Sequence, residues 1–198
     1  MEAYLLYSGG KDSSLAALLL KKLNYDLTLI TINFGVIDSY KLAQETAKAL
    51  GFRHKVIKLN REIVEKAADM VISDGYPANA INYIHKTVLE TLADKYKVLA
   101  DGIRRDDRVP KLSYSEIQSL EMRKGIQYIS PLMGFGHKTI KELINKFFII
   151  EEIKSGTKLT SDYEVEIREI LKEKGYNPKD YFPEHKQTRV LGWKNGEQ

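Results

Sequence analysis

Five short apolar runs, each followed by an amphipathic stretch, restrict what this chain can fold into more than any other feature. The runs are Ala3–Tyr7, Leu27–Asn33, His54–Leu59, Val98–Asp101 and Gln127–Ser130. Residues with helical spacing fill Asp12–Leu23, Asp38–Leu50, Arg61–Ser73, Asn79–Tyr96, Ser113–Lys124 and Lys138–Lys154. Alternation of this kind builds βαβ units, and consecutive units place their strands side by side in parallel with helices on both faces. The pattern therefore predicts an α/β fold, a three-layer α/β/α sandwich around a five-stranded, mainly parallel sheet.

The stretch Asn79–Tyr96 shows the logic. Asn79 can cap the helix, and Ile81, Ile84, Val88 and Leu92 recur on one face. His85 sits beside that stripe and reads as a boundary residue. Beyond about Gly156 the chain changes character. Asp162–Lys174 reads as an exposed helix ended by Gly175, and the remainder has no clear period. It holds Tyr181, Phe182 and Trp193, so it is expected to pack back on the domain rather than trail as a disordered tail. The expected organisation is a main domain over 1–155 and an extension over 156–198.

Bulk properties narrow the function. At 198 residues, 43% hydrophobic and 29% charged, the chain has the balance of a globular protein with a sizeable core. No window holds 18 consecutive apolar residues, and the N-terminus lacks a basic, secretory-type start; a cytoplasmic location without membrane partners is expected. The absence of cysteine excludes disulfides, thiolate metal sites and any persulfide carried on this chain. A net charge of +4, spread along the sequence, permits a polyanionic partner without demanding one.

The first strand-to-helix junction reads Leu5-Leu6-Tyr7-Ser8-Gly9-Gly10-Lys11-Asp12-Ser13-Ser14. In an open parallel sheet, ligands bind at the carboxyl ends of the strands, and this is such an end. Two glycines let the backbone approach a ligand, and the free N–H groups of a helix start favour an anion. Ser8, Ser13 and Ser14 add hydroxyls, and Lys11 adds a charge. Asp12 would repel phosphate directly and suits Mg2+ instead. The bland alternative is a tight turn with a helix cap. The loop is neither G-x-x-x-x-G-K-[ST], since no Ser or Thr follows Lys11, nor G-x-G-x-x-G. Gly134-Phe135-Gly136-His137-Lys138-Thr139 only superficially matches the former.

Ser8-Gly9-Gly10-x-Asp12-Ser13 fits S-G-G-x-D-S, the signature of the PP-loop ATP pyrophosphatases, whose fold is Rossmann-like. The resemblance runs from about Met1 to Ile150. The unit from Asn33-Phe34-Gly35 to "LGFRHKVIKL" is similar to the second βα unit of the 7-cyano-7-deazaguanine synthases. It implies that the backbone around Ile32, Asn33 and Phe34 lies near adenine. "KVLADGIRRDDRVP" is similar to the family's third region, which implies that Asp101 and Gly102 lie near the phosphates. Arg105 there would hold pyrophosphate and Asp106 would join Asp12 on Mg2+. Pro131-Leu132 with Lys138 resembles a Pro-Leu…Lys segment, although the spacing is one residue long. Two departures stand out: Pro77-Ala78-Asn79 lacks the Arg of a Pro-x-Arg-Asn motif, and no cysteines exist for the zinc site of the deazaguanine enzymes. As a stand-alone domain the chain looks most like small archaeal PP-loop proteins labelled predicted subunits of tRNA 5-methylaminomethyl-2-thiouridylate methyltransferase.

The resemblance implies ATP and Mg2+ as cofactors and cleavage of ATP into AMP and pyrophosphate, with adenylation of a substrate oxygen. Lys11, Asp12, Arg105 and Lys138 would serve that step. An acceptor such as tRNA is implied. Without cysteine, the nucleophile would be ammonia, an amine or free sulfide, or sulfur delivered by a partner protein. A homodimer fits as well. Two other readings stay open at this point: a non-catalytic ATP- or AMP-binding protein of the universal-stress kind, and a catalytically silent tRNA-binding subunit.

Overall fold

The computed structural model describes residues 1–154, 160–183 and 186–194. Elements follow in the order β1 (Glu2–Leu6), α1 (Lys11–Lys22), β2 (Asp26–Asn33), α2 (Tyr40–Ala49), β3 (Arg53–Lys58), α3 (Arg61–Asp74), α4 (Ala78–Ala93), β4 (Val98–Ala100), α5 (Tyr114–Lys124), β5 (Gln127–Ile129), α6 (His137–Phe147), β6 (Phe148–Lys154), α7 (Tyr163–Glu173) and β7 (Lys186–Trp193). The first five strands form a parallel sheet in the order β3-β2-β1-β4-β5. The three-layer α/β/α architecture read from the sequence is the one observed.

Period-two alternation sorts the side chains onto the two faces. Ala3, Leu5 and Tyr7 of the first strand and its exit join one buried cluster with Leu15, Ala43, Ala47, Ile140 and Ile144. Leu6, Ile30 and Ile32 join the other, with Val64, Val71, Ile84, Val88, Leu120 and Ile167. Helices α1, α2 and α6 thus cover one face, and α3, α4, α5 and α7 cover the other. The local signals are equally plain. Ser113 and Glu116 form a reciprocal capping box at the start of α5, and Gly125, at φ +60°, closes it.

The strand order reverses between β1 and β4, so a crevice opens where their carboxyl ends diverge. The Gly-rich loop leaves β1 there, and the Asp101–Asp107 loop leaves β4 beside it. Gly102 sets the contact between them. A Cβ on Gly102 would lie 2.8 Å from both the Cα and the backbone N of Ser13, so only glycine fits.

Several expectations are corrected. The predicted helix Lys138–Lys154 ends at Phe147, and Phe148–Lys154 is a strand. Its run of aromatic and β-branched residues, with Phe148 buried and Ile149 exposed, favours pairing over continuation of the helix. Its partner is β7, an antiparallel strand in the segment that shows no clear period. Asn79 is not a cap: α4 begins one residue earlier, and Asn79 donates to Asp74 Oδ2 at 2.9 Å. His85 is buried within the core rather than at its boundary. The aromatics of the extension do pack back: Phe182 is buried, and Trp193 stacks on Phe148 at 5.1 Å. The expected division at 155/156 lies outside the described residues.

Candidate functional site

A cavity of about 430 Å3 opens at the crevice. Ser8, Gly9, Gly10, Lys11, Asp12, Ser13, Ile32, Asp101 and Gly102 all line it, as the sequence reading groups them. Ser14, Asn33, Phe34, Arg105, Asp106 and Lys138 do not. Ser14 is fully buried and its hydroxyl pairs with Tyr7 Oη at 3.0 Å. Arg105, Asp106 and Lys138 are exposed, and it is Arg104 and Asp107 that turn into the cavity.

The loop earns its shape from its glycines. Gly9 has φ +75°, and a Cβ there would lie 3.1 Å from Ala43 Cα. Gly10 is the N-cap of α1 and offers no side chain to cap it. The first intrahelical bond is Ser14 N to Gly10 O at 3.0 Å. The N–H groups of Lys11, Asp12 and Ser13 therefore precede the helix ladder and point out of the helix start. Ser8 Oγ and Ser13 Oγ lie 3.3 Å apart across the turn. Asp12 sits inside the first turn, so it is not the helix cap of the bland alternative.

Asp12 is under electrostatic stress. Burial pushes its carboxyl up from the ordinary value of 3.8, opposed by Lys11 and Arg104. Lys11 Nζ stands at 3.9 Å and Arg104 Nε at 3.8 Å from Oδ2. Oδ1 is buried with no hydrogen-bond partner. Such an oxygen is costly to leave unpaired and is suited to receive a cation or a protonated ligand group. Among the described residues no cluster of three or more His, Asp or Glu side chains is built to hold a metal. Mg2+ on phosphates commonly takes only one or two carboxylates, however, and Asp12 Oδ1 fits that role. Asp106 instead approaches Arg104 Nε at 3.9 Å.

Beneath the loop lies a buried polar network that the sequence does not advertise. Asp101 accepts from His85 Nε2 at 3.1 Å, Ser130 Oγ at 2.8 Å, Ile103 N at 3.1 Å and the Tyr128 hydroxyl. The other ring nitrogen of His85, Nδ1, is buried without a hydrogen-bond partner. The His85 and Tyr163 rings, 6.2 Å apart, both line the cavity. Only the place of His85 beside the apolar stripe of α4 hints at this; its pairing with Asp101 is a tertiary fact.

The neighbouring loop after β2 is built in the opposite way. Glu166 of α7, almost fully buried, accepts from Phe34 N and Val36 N at 3.1 Å each and from Asn33 Nδ2 at 3.2 Å. Asn33 Nδ2 also donates to Ile37 O at 2.7 Å, and Asn33 Oδ1 accepts from Gly35 N at 3.1 Å. The Phe34 N–H, where the resemblance implies adenine, is thus already taken within the chain.

Known proteins share these features to different degrees. A family model described as a family of unknown function, DUF7411, matches residues 1–192. The chain belongs to that family. An uncharacterized protein of Methanocaldococcus jannaschii, MJ0690, is 73% identical over 194 residues, covering 98% of this chain and 97% of its own. A crystal structure from the same species, titled a predicted subunit of tRNA methyltransferase, superposes with a TM-score of 0.94 at 72% identity over 98% of each chain.

Two further similarities are partial. The 7-cyano-7-deazaguanine synthase of Methanococcus maripaludis is 36% identical over 63 residues, covering 30% of this chain and 27% of its own. The tRNA-specific 2-thiouridylase MnmA 2 of Fusobacterium nucleatum is 30% identical over 135 residues, covering 62% of this chain and 38% of its own. These similarities support membership of the PP-loop-like superfamily of adenylating enzymes, and no one activity within it.

Proposed function

We propose that this protein is an ATP pyrophosphatase that binds Mg-ATP in the crevice cavity and adenylates an oxygen of an acceptor, with tRNA as the favoured acceptor class. The observation that carries the reading is the Ser8–Ser13 loop. It joins an uncapped helix start, two hydroxyls and the unpartnered Asp12 Oδ1 in one cavity at the strand-order reversal. The tRNA part rests on the names of the tRNA-specific 2-thiouridylase and of the M. jannaschii structure.

The chemistry asked of the chain is electrostatic. Cleavage between the α and β phosphates needs charge stabilised on the departing pyrophosphate. The N–H groups of Lys11, Asp12 and Ser13 and the Lys11 ammonium would meet that charge. Asp12 would hold Mg2+, which neutralises phosphate charge when bound. Ile32 and Ile81 supply apolar wall for a base and ribose. With no cysteine in the chain, the nucleophile that displaces AMP comes from outside: ammonia, an amine, sulfide, or sulfur carried by a partner.

Incubation of the full chain with Mg-ATP, total archaeal tRNA and a supplied nucleophile, ammonium in one arm and sulfide in another, tests this. The expected products are AMP and pyrophosphate in equal amounts, reduced at least a hundredfold by Asp12→Ala. ATP recovered intact would favour a nucleotide sensor, and ADP with orthophosphate would contradict the assignment of the scissile bond.

A further inference from the structure

The strand β7 comes from the far end of the chain and lies against the Gly-rich loop. Val190 N donates to Gly9 O at 3.2 Å, and Lys11 Nζ donates to Thr188 Oγ1 at 3.3 Å. Thr46 Oγ1, on α2, donates to Val190 O at 3.1 Å. Between these anchors sits Arg189, which lines the same cavity as the loop. Its Nη2 pairs with the exposed Glu45 at 2.6 Å, and its Nε is buried with no partner.

A buried guanidinium N–H without an acceptor is as anomalous as the orphaned Asp12 oxygen, and it has the opposite sign. Guanidinium binds phosphate through adjacent N–H groups, and a surface pair such as Arg189–Glu45 contributes little, so an anion can draw on the same side chain. Lys11 stands on the loop side of the cavity and Arg189 on the strand side. Together they place positive charge on two walls.

We infer that β7 forms the second wall of the phosphate site, with Arg189 as a ligand to the polyphosphate of a nucleoside triphosphate or to free pyrophosphate. This rests on the proposed nucleotide reading and adds to it. The phosphate site is then completed by the C-terminal strand, not by the parallel-sheet domain alone. The anchors also give Thr188 a positioning role: it holds the Lys11 ammonium at the loop.

Calorimetric titration of the full chain with ATP, pyrophosphate and adenosine tests the inference. Trp193, the sole tryptophan, stacks on Phe148 and donates to Leu50 O at 3.2 Å, so its emission reports whether β7 stays docked. Arg189→Met is expected to weaken ATP and pyrophosphate by about tenfold to a hundredfold, the worth of a charge-assisted bond, with adenosine and Trp193 emission unchanged. If the Met variant undocks β7, Arg189→Lys keeps charge and stem without the Nε donor, and its binding is expected to weaken in the same direction. Glu45→Gln should leave ATP affinity equal or tighter. ATP affinity within twofold of wild type in Arg189→Met, or an equal loss in Glu45→Gln, overturns the inference and leaves the nucleotide reading standing. Pyrophosphate binding that depends on Arg189, without any adenosine or ATP binding, keeps the inference and removes the nucleotide reading. Wild-type protein that binds none of the three removes both.

Discussion

Two loops leave adjacent strands at the same edge of the sheet, and they are finished differently. The loop after β2 spends its polar groups internally, with Phe34, Val36 and Asn33 all donating to Glu166. The loop after β1 lines a cavity, and it leaves the buried Asp12 Oδ1 without a partner and the start of α1 without a side-chain cap. Buried polar groups are normally satisfied, so the first arrangement is what stability alone produces. The second costs stability, and that cost is understandable where a ligand completes the site. The comparison shifts attention from the expected adenine contact at Phe34, which is already occupied, to the phosphate end of the cavity.

Glu166→Ala should give the largest effect. It leaves Phe34 N and Val36 N without acceptors, at about 1–3 kcal/mol each, and a loss of about 3 kcal/mol or more is expected in urea unfolding. A loss under about 1 kcal/mol would mean that the β2 loop is not held as described. Gly102→Ala comes next. Its new methyl would meet Ser13 backbone at 2.8 Å, and forced repacking costs about 1–3 kcal/mol while displacing the start of α1. Nucleotide affinity should fall with stability; a wild-type melt with wild-type binding would break the account of how the two crevice loops are set.

The smallest effect has the opposite sign. Because burial raises the Asp12 carboxyl above its ordinary 3.8, the folded state holds this proton more tightly than the unfolded chain does. Stability from this group is therefore present at low pH and is lost as pH rises from about the ordinary carboxylate value through the raised one. Asp12→Asn should stabilise the protein at neutral pH, with the gain shrinking as pH falls toward the ordinary carboxylate value, read from melting curves across pH. The same variant should lose Mg-ATP turnover. No gain at any pH would place Asp12 in a solvated setting and weaken the contrast between the two loops.

Much of this is legible in the sequence because it is local. Period-two runs and the Ser8-Gly9-Gly10 junction suffice for the sheet and the loop, and the six residues Ser8–Ser13 line one cavity. What is not legible depends on distant pairing. His85 meets Asp101 across 16 residues, Glu166 meets Phe34 across 132, and Val190 meets Gly9 from the far end of the chain. The β6 strand hides because its apolar residues follow α6 without a break, so a helical period runs on through Phe147 into a segment that pairs instead. Arg105 and Arg104 are indistinguishable by composition; only the backbone path decides which one turns inward.

A crystal structure of the full chain with Mg2+ and α,β-methylene-ATP, which cannot be cut at the bond in question, tests the central claim most directly. The account predicts the triphosphate at the start of α1, within hydrogen-bonding distance of the Lys11–Ser13 N–H groups and of Arg189, with Mg2+ on Asp12. A nucleotide bound elsewhere, or a crevice that stays empty at saturating analogue, would contradict it.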